Sequence, residues 1–204
     1  MLLPLLLLGA SLPAAASTGV CADPNAPLSL TVSSSAYDEV SNLLAKGKKQ
    51  LVDAKYADAV ATFETAHQKS GGKVETELWL LRARMSAGSL DESFDRIVEL
   101  ESQSENPADA AYAIGVGRYL YAKREEARGG QPGGPFDEAR GYLKDAVDAD
   151  AAAYPDAWRM LAESARFTGD AETASMAIES AREQKKDDAT LGLAAKIRIS
   201  KAAG

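Results

Sequence analysis

The residue types that most often carry enzymatic chemistry are scarce in this sequence. Its 204 residues include one histidine, His67, and one cysteine, Cys21. Most zinc sites, cysteine–histidine nucleophile pairs and intramolecular disulfides need at least two such side chains, so these sites are excluded. We interpret His67 as a solvated or helix-capping side chain, because no acidic or thiol group stands at a fixed spacing from it.

Two glycine-rich stretches and one acidic stretch lack the spacing that binds ligands. Gly115 and Gly117 have no third glycine at the spacing of a nucleotide-binding motif and lie within a helical pattern, which indicates close helix packing. The run from Gly129 to Gly134 has no preceding strand and no following Lys-Ser/Thr, so it does not match a phosphate-binding loop. Residues 145–150 lack the glycine and the final glutamate of a calcium loop. We therefore expect no catalytic site, no cofactor and no bound metal.

The composition favours an acidic globular chain with a helical core. The sequence has 30 Asp and Glu residues against 23 Lys and Arg residues, which gives a net charge of −7. This balance argues against nucleic-acid binding, because a basic surface is needed to displace counterions from phosphates. Hydrophobic residues make up 46% of the chain but aromatic residues only 6%. The core must therefore be built from alanine and leucine, which favours closely packed helices.

The first 35 residues have the composition of a targeting segment followed by a linker. Residues 2–8 read LLPLLLL, and an alanine run at 14–16 follows them. An apolar stretch followed by small residues is the outline of a secretory signal peptide with its cleavage site. We predict a signal peptide over residues 1–20 and a flexible linker over residues 21–35, where Pro, Ser, Asn and Asp are frequent.

Cys21 stands where a bacterial lipoprotein carries its acylated cysteine. The residues directly before it, Thr18, Gly19 and Val20, match that signal poorly. Two interpretations follow: Cys21 carries a lipid anchor, or it is an unpaired cysteine in a flexible tether.

After the linker, apolar residues recur at the three- and four-residue spacing of amphipathic helices. Asn106 followed by Pro107 predicts the start of a helix, and Gly169 predicts the end of one. Ser89 and Glu92 have the spacing of a capping box. Together, such signals divide the chain into about nine helices.

Small and large side chains repeat along these helices with a period of about 34 residues. Ala59 and Ser93 are 34 residues apart, and Ala139 and Ala174 are 35 residues apart. The longer gap between Ser93 and Ala139 contains a Gly- and Pro-rich insertion at 128–135. Such a period is typical of a solenoid of helical hairpins.

The repeats resemble the tetratricopeptide repeat (TPR) family. The matching positions are Leu43, Gly47, Tyr56, Ala59, Phe63 and Ala66 in the first unit, and Trp158, Leu161, Ala162, Gly169, Ala174, Ile178 and Ala181 in the fourth. The resemblance implies an all-α fold, a right-handed α-α superhelix of about four TPR-like helical hairpins plus a C-terminal capping helix. Related helix-hairpin repeats with a looser consensus are the alternative.

The predicted repeat domain spans residues 36–204. A capping helix is expected at its end, because an open solenoid exposes the apolar face of its last helix. The apolar face of this helix would consist of Leu191, Leu193, Ala194 and Ile197. The predicted units are 36–71, 73–106, 107–154 with its insertion, and 155–186, and the capping helix spans 187–202.

The resemblance also implies a concave groove that is lined by the first helix of each hairpin and binds a protein or peptide. Trp79 and Tyr112 have an alternative role in packing between repeats. The lengthened fifth helix, with Tyr121, Lys123 and Arg124, either overhangs the groove or is a neutral length variant. The groove positions of the family fall on Leu44, Lys48, Leu51, Trp79, Arg82, Met85, Tyr112, Val116, Tyr119, Arg159, Glu163 and Arg166.

We therefore expect a non-enzymatic scaffold or adaptor of the cell envelope, in the periplasm or at the inner face of the outer membrane. The alternative is an accessory subunit of a periplasmic transporter system that binds a small molecule or docks a solute-binding protein. The expected partner is a protein or peptide and not a nucleic acid. Contact with a membrane is expected only through a lipid on Cys21.

Overall fold

The computed structural model describes residues 34–184 and 188–202. The predicted signal peptide, Cys21 and all but the last two residues of the predicted linker lie outside the described residues.

Within these residues the chain contains nine α-helices, one short 3₁₀ turn and no strand. The helices are α1 (Ser34–Val52), α2 (Tyr56–Lys69), α3 (Val74–Ala87), α4 (Leu90–Leu100), α5 (Pro107–Ala127), α6 (Gly133–Ala149), α7 (Ala157–Thr168), α8 (Ala171–Gln184) and α9 (Asp188–Ala202). Each helix packs against the next, and the first helices of successive hairpins, α1, α3, α5 and α7, also contact one another. The predicted all-α solenoid of helical hairpins is confirmed. No helix in the described part of the chain is both long and apolar enough to cross a lipid bilayer.

The signals for helix starts and ends agree with the structure at two of the three places. Asn106 precedes α5, and its side chain accepts a hydrogen bond of 3.1 Å from the backbone N–H of Ala108. Gly169 ends α7 with a φ of 79°, a conformation that glycine adopts without strain. The capping box at Ser89 was wrong: Ser89 precedes α4 but its side chain makes no capping hydrogen bond. Its ψ of 57° departs from the extended conformation that capping residues usually adopt.

The insertion lengthens α5 and then forms a loop. With 21 residues, α5 is the longest helix in the described part of the chain, and it ends at Ala127. The next helix, α6, begins at Gly133, so the stretch predicted as a loop over 128–135 ends three residues early. Pro135 fits in the first turn of α6 because a backbone N–H at that position has no partner within the helix.

Small residues let the paired helices approach closely. Gly47 of α1 faces Phe63 of α2, and a Cβ atom on Gly47 would lie 2.5 Å from the Phe63 ring. Gly115 of α5 faces Leu143 of α6 in the same way, with 2.8 Å between a Cβ atom and the leucine Cγ. These distances are shorter than van der Waals contact, so the hairpins pack at a spacing that only glycine permits.

The last helix, α9, covers part of the preceding hairpin. Leu193, Ala194 and Ile197 are buried, and α9 packs against α8 and α7. Leu191 was predicted to lie on the same face but is 47% exposed. It lies two residues before Leu193, and two residues correspond to about 200° around a helix, so it points away from the covered face.

A valine at Gly117 of α5 should destabilise the protein, because a Cβ atom there would overlap the buried ring of Phe94 on α4. We expect Gly117→Val to lower the free energy of unfolding by about 2 kcal/mol or more, as overpacked cores do. The matched control is Gly141→Val on the exposed face of α6, where nothing lies within 4 Å of the added Cβ atom. The control should be neutral or slightly stabilising. Urea denaturation measures both variants, and equal losses would contradict the packing.

Candidate functional site

Three of the predicted groove residues, Trp79, Arg82 and Tyr112, contact the segment just before α7, which had no predicted role. Trp79 of α3 and Tyr112 of α5 have ring centroids 5.3 Å apart. Tyr154, in the segment before α7, stacks on both rings, at 6.0 Å from Trp79 and 4.8 Å from Tyr112. Together with Arg82 and Asp156, these residues form what we call the central cluster.

Arg82 is the charged centre of this cluster and is only 1% exposed. Its Nη2 atom donates to Asp156 Oδ2 at 2.6 Å, its Nε atom donates to Tyr112 Oη at 3.1 Å, and its Nη1 atom donates to Ser86 Oγ at 2.6 Å. The Tyr112 hydroxyl in turn donates to Asp156 Oδ1 at 2.7 Å. Burial by itself lowers the pKa of Arg82, but Tyr112 and Asp156 outweigh it and raise the pKa above its usual value. The guanidinium therefore stays charged in the interior because its partners are fixed.

Tyr154 fastens the same segment to the start of α5. Its hydroxyl donates to Asp109 Oδ1 at 2.7 Å. Burial raises the pKa of the Tyr154 phenol, and the neighbouring Asp109 carboxylate raises it further. The hydroxyl therefore keeps its proton, which is the state that can donate to Asp109.

The central cluster joins hairpins that are not neighbours in the sequence. Arg82 lies in the second hairpin, and Asp156 begins the fourth, 74 residues later. In an open solenoid each repeat contacts only its neighbours. Here Tyr154 and Asp156 lie against Trp79 and Arg82 of α3 and Tyr112 of α5, so they cover these three positions of the surface that the sequence predicted to be an open groove.

Most of the predicted groove residues are therefore buried in the interior. Trp79 and Tyr112 are among them, so they have the packing role that was the alternative prediction for them. The partly exposed ones are Leu44, Lys48, Arg159, Glu163 and Arg166. The buried ones are Leu51, Trp79, Arg82, Met85, Tyr112, Val116 and Tyr119. Tyr154 and Asp156 were not among the residues predicted from the sequence. The only local signal at these residues is Pro155 between them, at a hairpin boundary, and it predicts a turn and not a distant contact.

A second network connects α5 to α7. The Tyr119 hydroxyl donates to Glu163 Oε2 at 2.6 Å, and Lys123 Nζ lies 2.9 Å from Glu163 Oε1. Burial by itself raises the pKa of Glu163, but the hydrogen bonds from Tyr119 and Lys123 outweigh it and lower the pKa below its usual value. Glu163 therefore remains ionised and holds the lengthened α5 against α7.

The other side of the lengthened α5 is attached to α4. Arg124 makes two hydrogen bonds to Asp91, at 2.9 and 3.0 Å, and the Tyr121 hydroxyl also donates to Asp91. With Lys123 bound to Glu163, all three residues that the sequence placed at an overhanging tip contact neighbouring helices. The extension is thus held between α4 and α7.

A cleft beside α1 lies outside the surface that Tyr154 and Asp156 cover. It has a volume of about 390 Å³, begins at α1, crosses the first turn of α3 and ends at the start of α5. Tyr37 at its edge is 66% exposed. We call this surface the α1 cleft; its lining residues are Tyr37, Val40, Ser41, Leu44, Lys69, Ser70, Lys73, Glu75, Thr76, Glu105 and Asp109.

Lys48 limits the α1 cleft on the side of the central cluster. Its Nζ atom lies 4.1 Å from the centroid of the Trp79 ring, within the range of a cation–π interaction. Burial lowers the pKa of Lys48, although Asp109 and Asp150 oppose this effect. Further along α1, a separate cavity of about 250 Å³ lies between Leu51 and Val52 on one side and Arg159 and Met160 of α7 on the other. The described residues contain no group of three or more His, Cys, Asp or Glu side chains that could hold a metal ion.

Comparison with known proteins identifies the architecture. No protein-family model matches the sequence, and no curated protein matches it. Solved structures do match it, among them the following two. A thermophilic TPR protein of Thermus thermophilus has a TM-score of 0.57 and 17% sequence identity, over 79% of this chain and 82% of that chain. A mutant of MamA has a TM-score of 0.52 and 14% identity, over 81% of this chain and 90% of that chain. The fold is TPR-like.

The stability of this TPR-like solenoid should depend strongly on the ion pair of the buried Arg82 with Asp156. Asp156→Ala leaves the Arg82 guanidinium unpaired in the interior, and we expect it to lower the free energy of unfolding by about 3–5 kcal/mol. The matched control is Glu64→Ala, which removes the partner of Arg84 from an exposed ion pair of 2.8 Å. The control should cost less than about 1 kcal/mol. Similar losses for both variants in chemical denaturation would show that the Arg82–Asp156 pair has no special role.

Proposed function

We propose that this protein is a non-enzymatic scaffold that binds a segment of a partner protein in the α1 cleft. The TPR-like neighbours support a protein-interaction role in general. The observation that carries the specific site is the partial exposure of the apolar side chains of α1 in this cleft, beside a surface on which the chain places its own Tyr154 and Asp156.

The geometry of the cleft suits a peptide segment. Tyr37, Val40 and Leu44 lie at three- and four-residue spacing on α1, so they form one continuous apolar stripe. The stripe is about 10 Å long, which corresponds to about three residues of an extended chain. Exposed aromatic residues are frequent anchors of protein interfaces, and Tyr37 at the edge of the cleft has this character.

The cell envelope is the proposed location. The support is in the sequence: the apolar run at 2–8 and the alanine run at 14–16 have the pattern of an export signal. Cys21 then either carries a lipid anchor or is an unpaired cysteine in the predicted linker. Mass spectrometry of the mature N-terminus distinguishes the two, because an unmodified chain that begins at Ser17 excludes the lipid.

The second candidate function, a small-molecule-binding accessory subunit of a transporter system, is favoured by the cavity between α1 and α7. That cavity is lined by apolar side chains such as Leu51 and Met160 together with the polar Tyr56 and Arg159. A metabolite that raises the melting temperature of the protein would favour this function.

Site-specific photocrosslinking in cells tests the scaffold proposal. A benzophenone amino acid is placed at Ser41, which is exposed in the α1 cleft, and separately at Val98, which is exposed on α4. We expect a protein adduct at Ser41 and none at Val98. Adding Tyr37→Asp should abolish the Ser41 adduct and leave the melting temperature unchanged, because Tyr37 is mostly exposed. Adducts of equal yield at the two positions, or an adduct that survives Tyr37→Asp, would overturn the assignment.

A further inference from the structure

The two walls of the α1 cleft differ in chemical character. The wall formed by α1 is apolar, with Tyr37, Val40 and Leu44. The opposite wall, at the start of α3 and before and within α5, contains three carboxylates, Glu75, Glu105 and Asp109. A partner that fits both walls must carry an apolar group and a group that complements negative charge.

Two carboxylates of this acidic wall are held in place by hydrogen bonds and not by an ion pair. Glu75 Oε1 accepts a hydrogen bond of 3.0 Å from the backbone N–H of Glu105, and Asp109 Oδ1 accepts one of 2.7 Å from Tyr154. Within residues 34–184 and 188–202, no basic side chain makes an ion pair with Glu75, Glu105 or Asp109, although Lys48 interacts electrostatically with Asp109. These hydrogen bonds orient Glu75 and Asp109.

The basic residues near the cleft do not neutralise this wall. Lys69 is paired with Glu39 of α1 at 2.9 Å. Lys48 lies over the Trp79 ring and also interacts electrostatically with Asp109. Lys73 stands at the turn before α3, at the end of the cleft. Lys73 and Lys48, which make no ion pair within the described part of the chain, thus face three carboxylates, so the cleft keeps an excess of negative charge next to its apolar wall.

We propose that the partner segment is basic and apolar: it places an apolar side chain against Tyr37, Val40 and Leu44 and a Lys or Arg side chain against Glu75, Glu105 and Asp109. This inference rests on the proposed docking in the α1 cleft and adds the chemistry of the partner. Charge complementarity carries it, because opposite charges across an interface favour the correct partner and like charges exclude the wrong one.

Fluorescence anisotropy with the full chain and defined peptides tests this proposal. The probes are three labelled nonapeptides that differ at two positions only, Gly-Ser-Leu-X-Phe-X-Leu-Ser-Gly with X as Lys, Glu or Gln. At low salt we expect the Lys peptide to bind about tenfold or more tightly than the Glu peptide, with the Gln peptide between them. The difference should shrink at high salt, because partly exposed charges are screened.

Two charge reversals locate the effect. Glu105→Lys alters the acidic wall at an exposed side chain and should weaken binding of the Lys peptide about fivefold or more. The matched control, Glu92→Lys at the start of α4, changes the net charge equally outside the cleft and should change the affinity by less than about twofold.

Equal binding of the three peptides, or equal effects of the two charge reversals, would overturn the proposed partner chemistry. If binding is equal but Tyr37→Asp abolishes it, the cleft remains a docking site and only the preference for basic segments is lost. If no peptide binds, the inference fails, and the cellular crosslinking at Ser41 still decides the scaffold function independently.

Discussion

The guanidinium of Arg82 imposes the constraint that organises this solenoid. A charge that is removed from water must be paired and hydrogen-bonded, because its desolvation costs several kcal/mol. Asp156 and Tyr112 satisfy this requirement, and they come from different hairpins. This pairing therefore holds Asp156, at the start of the fourth hairpin, against Tyr112 of the third hairpin and Arg82 of the second. The rings of Trp79 and Tyr154 stack on each other and on or near Tyr112 in the same cluster, so apolar surface is buried beside the ion pair.

The functional surface follows from this closure. Tyr154 and Asp156 cover the side chains of Trp79, Arg82 and Tyr112 on α3 and α5, and the Tyr154–Asp109 hydrogen bond marks one end of the remaining cleft. The exposed inner face of α1 is left beyond that point, with an apolar wall on one side and carboxylates on the other. The same interactions that stabilise the fold thus decide where a partner can bind and what chemistry it meets.

The helices and their stacking could be predicted from the sequence because their signals are local. The Asn106–Pro107 pair starts α5, Gly169 ends α7, and the 34-residue period gives the order of the hairpins. The covering of the groove could not be predicted in this way. It depends on a contact between side chains 74 residues apart, and no local pattern distinguishes an arginine that lines an open groove from one that is paired inside it.

The distance between the first and last hairpins tests the closure most directly. Tyr56 and Gln184 line one cavity, so nitroxide labels at the neighbouring exposed residues Ala57 and Glu183, in a Cys21→Ser background, report on it by pulsed electron resonance. We predict a short and narrow distance distribution that becomes longer and broader in Asp156→Ala while the helix content is retained. A distribution that is already broad in the parent protein, or one that Asp156→Ala leaves unchanged, would contradict the account.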